Sequence, residues 1–355
     1  MTDSDFARTL ARWQRAFGRR DLPWQRFSTP YERLVSEVML QQTQVGTVIP
    51  YYERFLARFP TVEALAAAPA DELMRLWAGL GYYSRARNLK RAAEQVAGPL
   101  GGRFPDTAEG LLELPGVGPS TAAAVAAFTS GEAKLPMVDG NVKRVLARVR
   151  MIPGRVGEKS FETAVARAAA ELLPGPEDVA AYTQGLMDLG SGVCRRRAPL
   201  CPSCPVRGFC RAAFAGRAED FPAPKKPLVK TVRRLVFGVP VSARGVWLRR
   251  GADGGVWAGL WTPVVREVPL DAAGISGPAD FGFDEGWEAA PLGAMKRELT
   301  HQRLFLDGCA LLRTQGSLEA QGFTCFAADP AAWPGMPAPV RIYVERALRA
   351  AGYSV

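Results

Sequence analysis

Leu114-Pro115-Gly116-Val117-Gly118-Pro119-Ser120-Thr121 is the stretch on which the architecture of this chain turns. Its two glycines permit a tight turn, and Pro119 suits the first position of a helix because it has no N–H to leave unpaired there. The octapeptide therefore joins a short helix to a longer one over 119–130. Amides at such a helix N-terminus have no partner inside the helix and can be approached closely where glycine carries no side chain, which suits a DNA phosphate. A plain structural turn is the competing reading and the better one for an isolated G-x-G, which by itself does not favour a phosphate site.

Its surroundings do. Apolar residues recur at three- and four-residue intervals in 5–17, 31–43, 62–78, 84–97, 119–130, 140–150, 158–172 and 177–189, which predicts a helical domain over 1–220. Phe221-Pro222-Ala223-Pro224-Lys225-Lys226-Pro227 ends that pattern, since three prolines in six residues favour an extended linker, placed at 221–230. Beyond it the period changes. Strands are expected at 232–241, 245–250, 304–312 and 323–328 and one amphipathic helix at 340–351, giving a smaller α+β domain over 231–355. The fold class expected is mainly α, and two domains suit 355 residues. The formal net charge is +10, and residues 1–226 hold 31 of the 45 basic and 23 of the 35 acidic side chains, so the excess sits mostly in the helical part. A basic surface of that kind points to a polyanionic partner. No stretch is long enough to span a membrane.

Cys194, Cys201, Cys204 and Cys210 stand in the spacing C-x6-C-x2-C-x5-C. Four thiolates need a thiophilic centre, zinc or an iron–sulfur cluster, and a single C-x2-C hook between unequal arms favours the cluster. Disulfides fit poorly: Met1-Thr2-Asp3-Ser4-Asp5 is acidic with no apolar core behind it, so a cytoplasmic, reducing location is expected. Cys309 and Cys325 lack ligand spacing and read as core residues of strands.

Two carboxylates are pushed in opposite directions. Glu37 lies at the margin of the apolar stripe Tyr31, Leu34, Val35, Val38, where partial burial raises its pKa. Asp139 precedes a helical run after Pro136, where an N-cap carboxylate meets the positive end of the helix dipole and stays ionised. Such a pair is what glycosidic cleavage requires: a proton for the leaving base and negative charge for the sugar cation. A surface glutamate and a plain N-cap are the blander readings.

The hairpin octapeptide, Val138-Asp139-Gly140-Asn141-Val142 some twenty residues later, and the cysteine spacing together resemble the helix-hairpin-helix DNA glycosylases that carry a [4Fe–4S] cluster. Within that superfamily, Ser36-Glu37-Val38-Met39-Leu40-Gln41-Gln42-Thr43-Gln44-Val45 and Gly79-Leu80-Gly81-Tyr82-Tyr83-Ser84-Arg85-Ala86-Arg87-Asn88-Leu89 are similar to the adenine DNA glycosylase (MutY) family. The resemblance is dense over about 10–212. It implies that Glu37 protonates adenine and activates water, that Asp139 stabilises the sugar cation or a covalent intermediate with Asn141 beside it, and that Gln42 and Tyr82 fill or wedge the stack after base flipping. Gly116, Val117, Gly118 and Ser120 become the DNA-binding hairpin, and the four cysteines the cluster ligands. Ser120 stands where related glycosylase/lyases carry a Schiff-base lysine, so hydrolysis that leaves an abasic site is expected.

The single histidine, His301, excludes a His-based triad from the helical part. Glu298-Leu299-Thr300-His301-Gln302 aligns with the Phe-Ser-His loop by which the family's C-terminal domain reads 8-oxoguanine, with Leu and Thr replacing Phe and Ser. Trp257-Ala258-Gly259-Leu260-Trp261 resembles the family's Nudix-fold domain, while the acidic R-E-x-x-E-E box is absent. The expected partner is double-stranded DNA containing adenine opposite 8-oxoguanine or guanine, met by a monomer associated with the nucleoid. Two rivals remain: a glycosylase for another base, and a non-enzymatic DNA-binding protein with a redox-sensing cluster.

Overall fold

The computed structural model describes residues 2–26, 29–224, 228–251, 257–272, 277–314 and 316–355. Its α-helices are α1 (Asp3–Phe17), α2 (Pro30–Leu40), α3 (Val45–Arg58), α4 (Val62–Ala67), α5 (Ala70–Trp77), α6 (Ser84–Ala97), α7 (Ala108–Leu112), α8 (Pro119–Thr129), α9 (Gly140–Arg150), α10 (Lys159–Glu171), α11 (Pro176–Asp188), α12 (Arg211–Phe214) and α13 (Ala338–Ala350). Contacts gather the chain into two units: 1–67 with 87–226, and 68–86 with 227–355. A piece of the helical stretch thus packs with the strand-rich part. Lys225, Lys226 and Pro227 of the expected linker lie outside the described residues. Phe221–Pro224 is tied to the first unit, with Ala223 N donating to Gly154 O (3.0 Å) and Arg155 Nε to Pro224 O (3.0 Å).

In the first unit, Thr29 and Glu32 close a reciprocal cap over the start of α2, with Pro30 as its first residue. The helix ends at Leu40 rather than at the expected 43, because Gln41 leaves helical geometry and Gln42 turns left-handed at φ 58°. Helix α3 was not expected; Pro50 inside it masks the buried stripe Val48, Tyr52, Phe55. The single helix expected over 62–78 is two, since Pro69 lacks an N–H and disfavours helix in the residue before it. Ala122–Ala127 of α8 are all buried, and these small side chains let α2 pack closely on it. A core of Phe6, Leu10, Val142, Leu146, Phe161 and Tyr182 unites α1, α9, α10 and α11.

The second unit is built on β1 (Thr231–Ser242), β2 (Gly245–Arg250), β3 (Trp261–Thr262), β4 (Val264–Val268), β5 (Glu288–Pro291), β6 (Met295–Glu298), β7 (Gln302–Leu312) and β8 (Thr324–Phe326). Strands β1 and β7 run parallel from Thr231↔Gln302 to Val241↔Leu312. Antiparallel partners flank them: β2 and β4 on β1, β5 and β6 on β7. Helix α13 covers one face through Val340, Tyr343, Val344 and Leu348, while Trp247, Phe281, Trp287 and Leu311 pack on the other. Trp257 and Trp261 join the first of these cores, beside Phe237 and Phe326. Cys309 is buried in β7, and Cys325 is half-buried in β8.

Candidate active site

The hairpin turn sits between α7 and α8. Gly116 has φ 77°, and a Cβ there would press on the side chain of Asn88. At Gly118 a Cβ would meet nothing within 4 Å, and no side chain caps α8, so its first-turn amides stand beside an open approach. Val117 is buried and its N–H donates to Leu114 O at 3.1 Å, so it holds the turn in shape. The Ser120 hydroxyl donates to Val138 O at 2.7 Å and ties the start of α8 to the residue preceding Asp139. Gln41 Nε2 donates to Thr121 Oγ1 at 3.2 Å, joining the end of α2 to the same turn.

Through these ties the two carboxylates share one site. Asp139 caps α9: its Oδ1 accepts from Asn141 N and Val142 N, both at 2.8 Å, and Asn141 Nδ2 reaches Oδ2 at 3.3 Å. Glu37 is half-buried on α2, and its carboxyl is desolvated by the surrounding protein. Desolvation pushes it up to about 7; the nearby Arg33 guanidinium opposes the rise, and the charge of Asp139 adds to it. Arg33 lies one turn earlier on α2, buried, with its guanidinium 4.1 Å above the ring of Phe128. The site thus holds a carboxylic acid poised to give up or take a proton near neutrality, beside a second carboxylate fixed by its own helix.

Arg144 and Arg148, one and two turns beyond Asn141 on α9, were not singled out in the sequence. Arg144 donates to Asn141 Oδ1 (2.9 Å), Gly190 O (2.7 Å) and Cys194 O (2.9 Å). Arg148 is buried and reaches Cys194 Sγ (3.3 Å), Arg195 O (2.7 Å), Arg196 O (3.1 Å) and Phe221 O (3.0 Å). The available signal was a charged residue at 148 within the apolar run Val145, Leu146, Val149. Asp139, Asn141, Arg144, Arg148, Arg196, Arg197 and Glu219 border one cleft, which therefore carries four cations against two carboxylates. Cys194, Cys201, Cys204 and Cys210 all line one small cavity with Val193 and Leu200, and no cysteine forms a disulfide. Burial pushes the Cys204 thiol up to about 12 and raises that of Cys210.

Gln42 is exposed, and its left-handed backbone is shared by Tyr82 at φ 47°, a conformation that costs energy in residues with a side chain and gathers at functional sites. Tyr82 belongs to the second unit, and there its hydroxyl is hydrogen-bonded to Thr300 Oγ1. Thr300 and His301 form the exposed tip of the β6–β7 hairpin, closed by Leu299 N donating to Gln302 O at 2.8 Å.

Residues 35–171 match the family described as HhH-GPD superfamily base excision DNA repair protein. Over 263 residues, 74% of this chain and 74% of the other, the protein is 34% identical to the adenine DNA glycosylase of Buchnera aphidicola subsp. Acyrthosiphon pisum (strain APS). The chain belongs to the adenine DNA glycosylase family. Among solved structures, this glycosylase is similar to a thermostable thymine-DNA glycosylase, with a TM-score of 0.52 and 30% identity over 60% of this chain and 97% of that one. It is also similar to endonuclease III in a non-covalent DNA complex, with a TM-score of 0.50 and 25% identity over 61% and 98%. It is an enzyme of base excision repair, a hydrolase of N-glycosidic bonds, with a helical glycosylase fold followed by a mixed-sheet domain.

Proposed function

We propose that the enzyme removes adenine paired with 8-oxoguanine or guanine in double-stranded DNA, by hydrolysis alone, leaving an abasic site. The feature that carries this reading is the half-buried Glu37 of α2, raised by desolvation and within the field of Asp139, whose carboxylate is held at the start of α9 by Asn141 N and Val142 N. Protonated Glu37 donates to the flipped-out adenine as the N9–C1′ bond breaks and its electron pair passes to the base. Asp139, with Asn141 beside it, faces the cationic sugar. Ionised Glu37 then takes a proton from the water that attacks C1′. A group titrating near the working pH serves both steps. The Ser120 hydroxyl, engaged with Val138 O, has no amine to form a Schiff base, which supports a hydrolytic enzyme without lyase activity.

The amides of the Gly116–Ser120 hairpin hold a phosphate, and Gln42 and Tyr82 enter the stack vacated by adenine. Thr300 and His301, on a Nudix-like domain, address the 8-oxoguanine. Cys194, Cys201, Cys204 and Cys210 would hold a [4Fe–4S] cluster. Among the described residues no three Cys, His, Asp or Glu side chains form a group for one metal ion; all four cysteines nonetheless line one small cavity, and their thiol chemistry with a single C-x2-C hook fits an iron–sulfur cluster. Ligation would offset the cost of ionising those buried thiols and would cross-link the loop, so that the exposed Arg195, Arg196, Arg197 and Arg207 could face phosphate. The enzyme works as a monomer in the cytoplasm, on the nucleoid.

The test is a set of duplexes with adenine opposite 8-oxoguanine or guanine, and thymine opposite guanine, with strand integrity examined before and after alkali. Alkali-dependent cleavage at adenine, fastest opposite 8-oxoguanine, is expected. Cleavage without alkali would refute the hydrolytic reading, and cleavage at thymine alone would replace the substrate.

A further inference from the structure

Residues 68–86 are fastened to the sheet unit by contacts that no other part of the proposed mechanism uses. Asp71, in the first turn of α5, spends both carboxylate oxygens there: Oδ2 on Arg250 Nη2 at 2.7 Å and Oδ1 on Trp261 Nε1 at 2.9 Å. The Arg250 guanidinium lies 5.0 Å above the Trp261 ring, so the three side chains form one clamp. Around it, Gly335 lies so close that a Cβ would overlap the backbone of Met74 and Arg75. Arg75 Nη1 donates to Ala331 O (3.4 Å), and the Tyr83 hydroxyl to Met336 O (3.5 Å).

At the far end of the same segment, the turn bearing Tyr82 is held from inside. Arg85 Nη2 donates to Leu80 O (3.1 Å) and Gly81 O (3.2 Å), and Trp77 Nε1 donates to Gly81 O (3.2 Å). The Arg85 guanidinium stands 5.5 Å from the rings of both Trp77 and Tyr82. From Asp71 to Tyr82 the segment is therefore a braced arm, and its tip meets Thr300.

We infer that Asp71, with Arg250 and Trp261, is a positioning element for partner-base discrimination: it holds the arm so that the Tyr82 wedge and the Thr300 hydroxyl address the same base as one device. This rests on the assignment of Tyr82 and Thr300 to wedging and lesion reading. A hydroxyl donates one proton and accepts on two lone pairs, so its direction is set by the partner it already has. 8-Oxoguanine offers a donor at N7 where guanine offers an acceptor. A Thr300 hydroxyl aimed by Tyr82 tells them apart, and one released by a slack arm does not.

The experiment uses the full chain in the variants Asp71→Asn and Arg250→Gln, with single-turnover excision of adenine opposite 8-oxoguanine and opposite guanine. Arg250 is well exposed, so Arg250→Gln opens the clamp from the solvent side and keeps the fold. Each variant is expected to lose roughly fivefold in the ratio of the two rates, with excision opposite guanine nearly unchanged, and the double variant to lose no more than either single. An unchanged ratio in both variants, or an equal fall on both substrates, overturns the inference. A wild-type enzyme with no preference for 8-oxoguanine would instead defeat the lesion-reading assignment itself, and the clamp's role with it.

Discussion

Asp139 caps α9 with its carboxylate held by the amides of that helix, whereas Thr300 stands exposed at a hairpin tip with its hydroxyl held by Tyr82, 218 residues earlier. The carboxylate proposed to face the sugar is fixed by local chain geometry, and its proposed partner Glu37 is tuned by burial. The hydroxyl proposed to read the partner base is fixed by a long-range contact and stays exposed. Chemistry needs a shifted pKa and excluded solvent, so it sits where helices converge. Recognition needs unspent hydrogen-bonding capacity, so it sits where the sheet runs out.

The largest effect separating the two regions is expected from Glu37→Gln. Adenine excision should fall by about a thousandfold, while the dissociation constant for the same duplex stays within about twofold. Continued turnover by this variant would break the catalytic half of the comparison. The pH profile sharpens it: with Glu37 at about 7 and its protonated form required first, single-turnover excision should fall about tenfold per pH unit above 7. Stability follows the same group. Its folded pKa lies above the ordinary 4.5, so its contribution is fully present below 4.5 and is lost as pH rises through 7. In chemical denaturation the stability of Glu37→Gln relative to wild type should therefore grow by about 3 kcal/mol between pH 4.5 and pH 8, and an unchanged difference would refute the burial argument.

Removal of a cysteine probes the first unit at a distance from its carboxylates. Cys204→Ser should lower bound iron and weaken duplex affinity by roughly tenfold, with the excision rate at saturating protein changed less. A variant that binds DNA normally but cannot cleave would move the cysteines into the chemistry. The smallest effect belongs to the reading region: Thr300→Val keeps the shape and removes the hydroxyl, and should cost roughly fivefold in rate opposite 8-oxoguanine and almost nothing opposite guanine. Equal rates for the variant and wild type on both partners would remove Thr300 from recognition. Point substitution suits this question better than deletion of 228–355, which would strip the partner surface from Trp77, Tyr83 and Met74.

Legibility in the sequence followed the range of the forces involved. The direction of the Glu37 shift could be read from its place beside an apolar stripe, and the cap at Asp139 from the residue type before a helical run, because both depend on neighbours within a turn or two. Strands β4, β5 and β6 gave no usable alternation; β5 and β6 bury almost nothing and are held by main-chain bonds to β7. Residues 68–86 read as more of the helical stretch, since their periodicity reports that a face is buried and not which partner buries it.

By itself the sequence determined the helical unit, the turn at 116–118, the two carboxylates and the family to which they belong, because caps, turns and dense motifs are written in adjacent residues. Only the tertiary structure decided that Glu37 and Asp139 share a field, that Ser120 spends its hydroxyl on Val138, and that Tyr82 travels with the sheet and meets Thr300. Those facts depend on residues brought together from distant parts of the chain, and folding creates that proximity through burial and hydrogen bonds that no local pattern encodes.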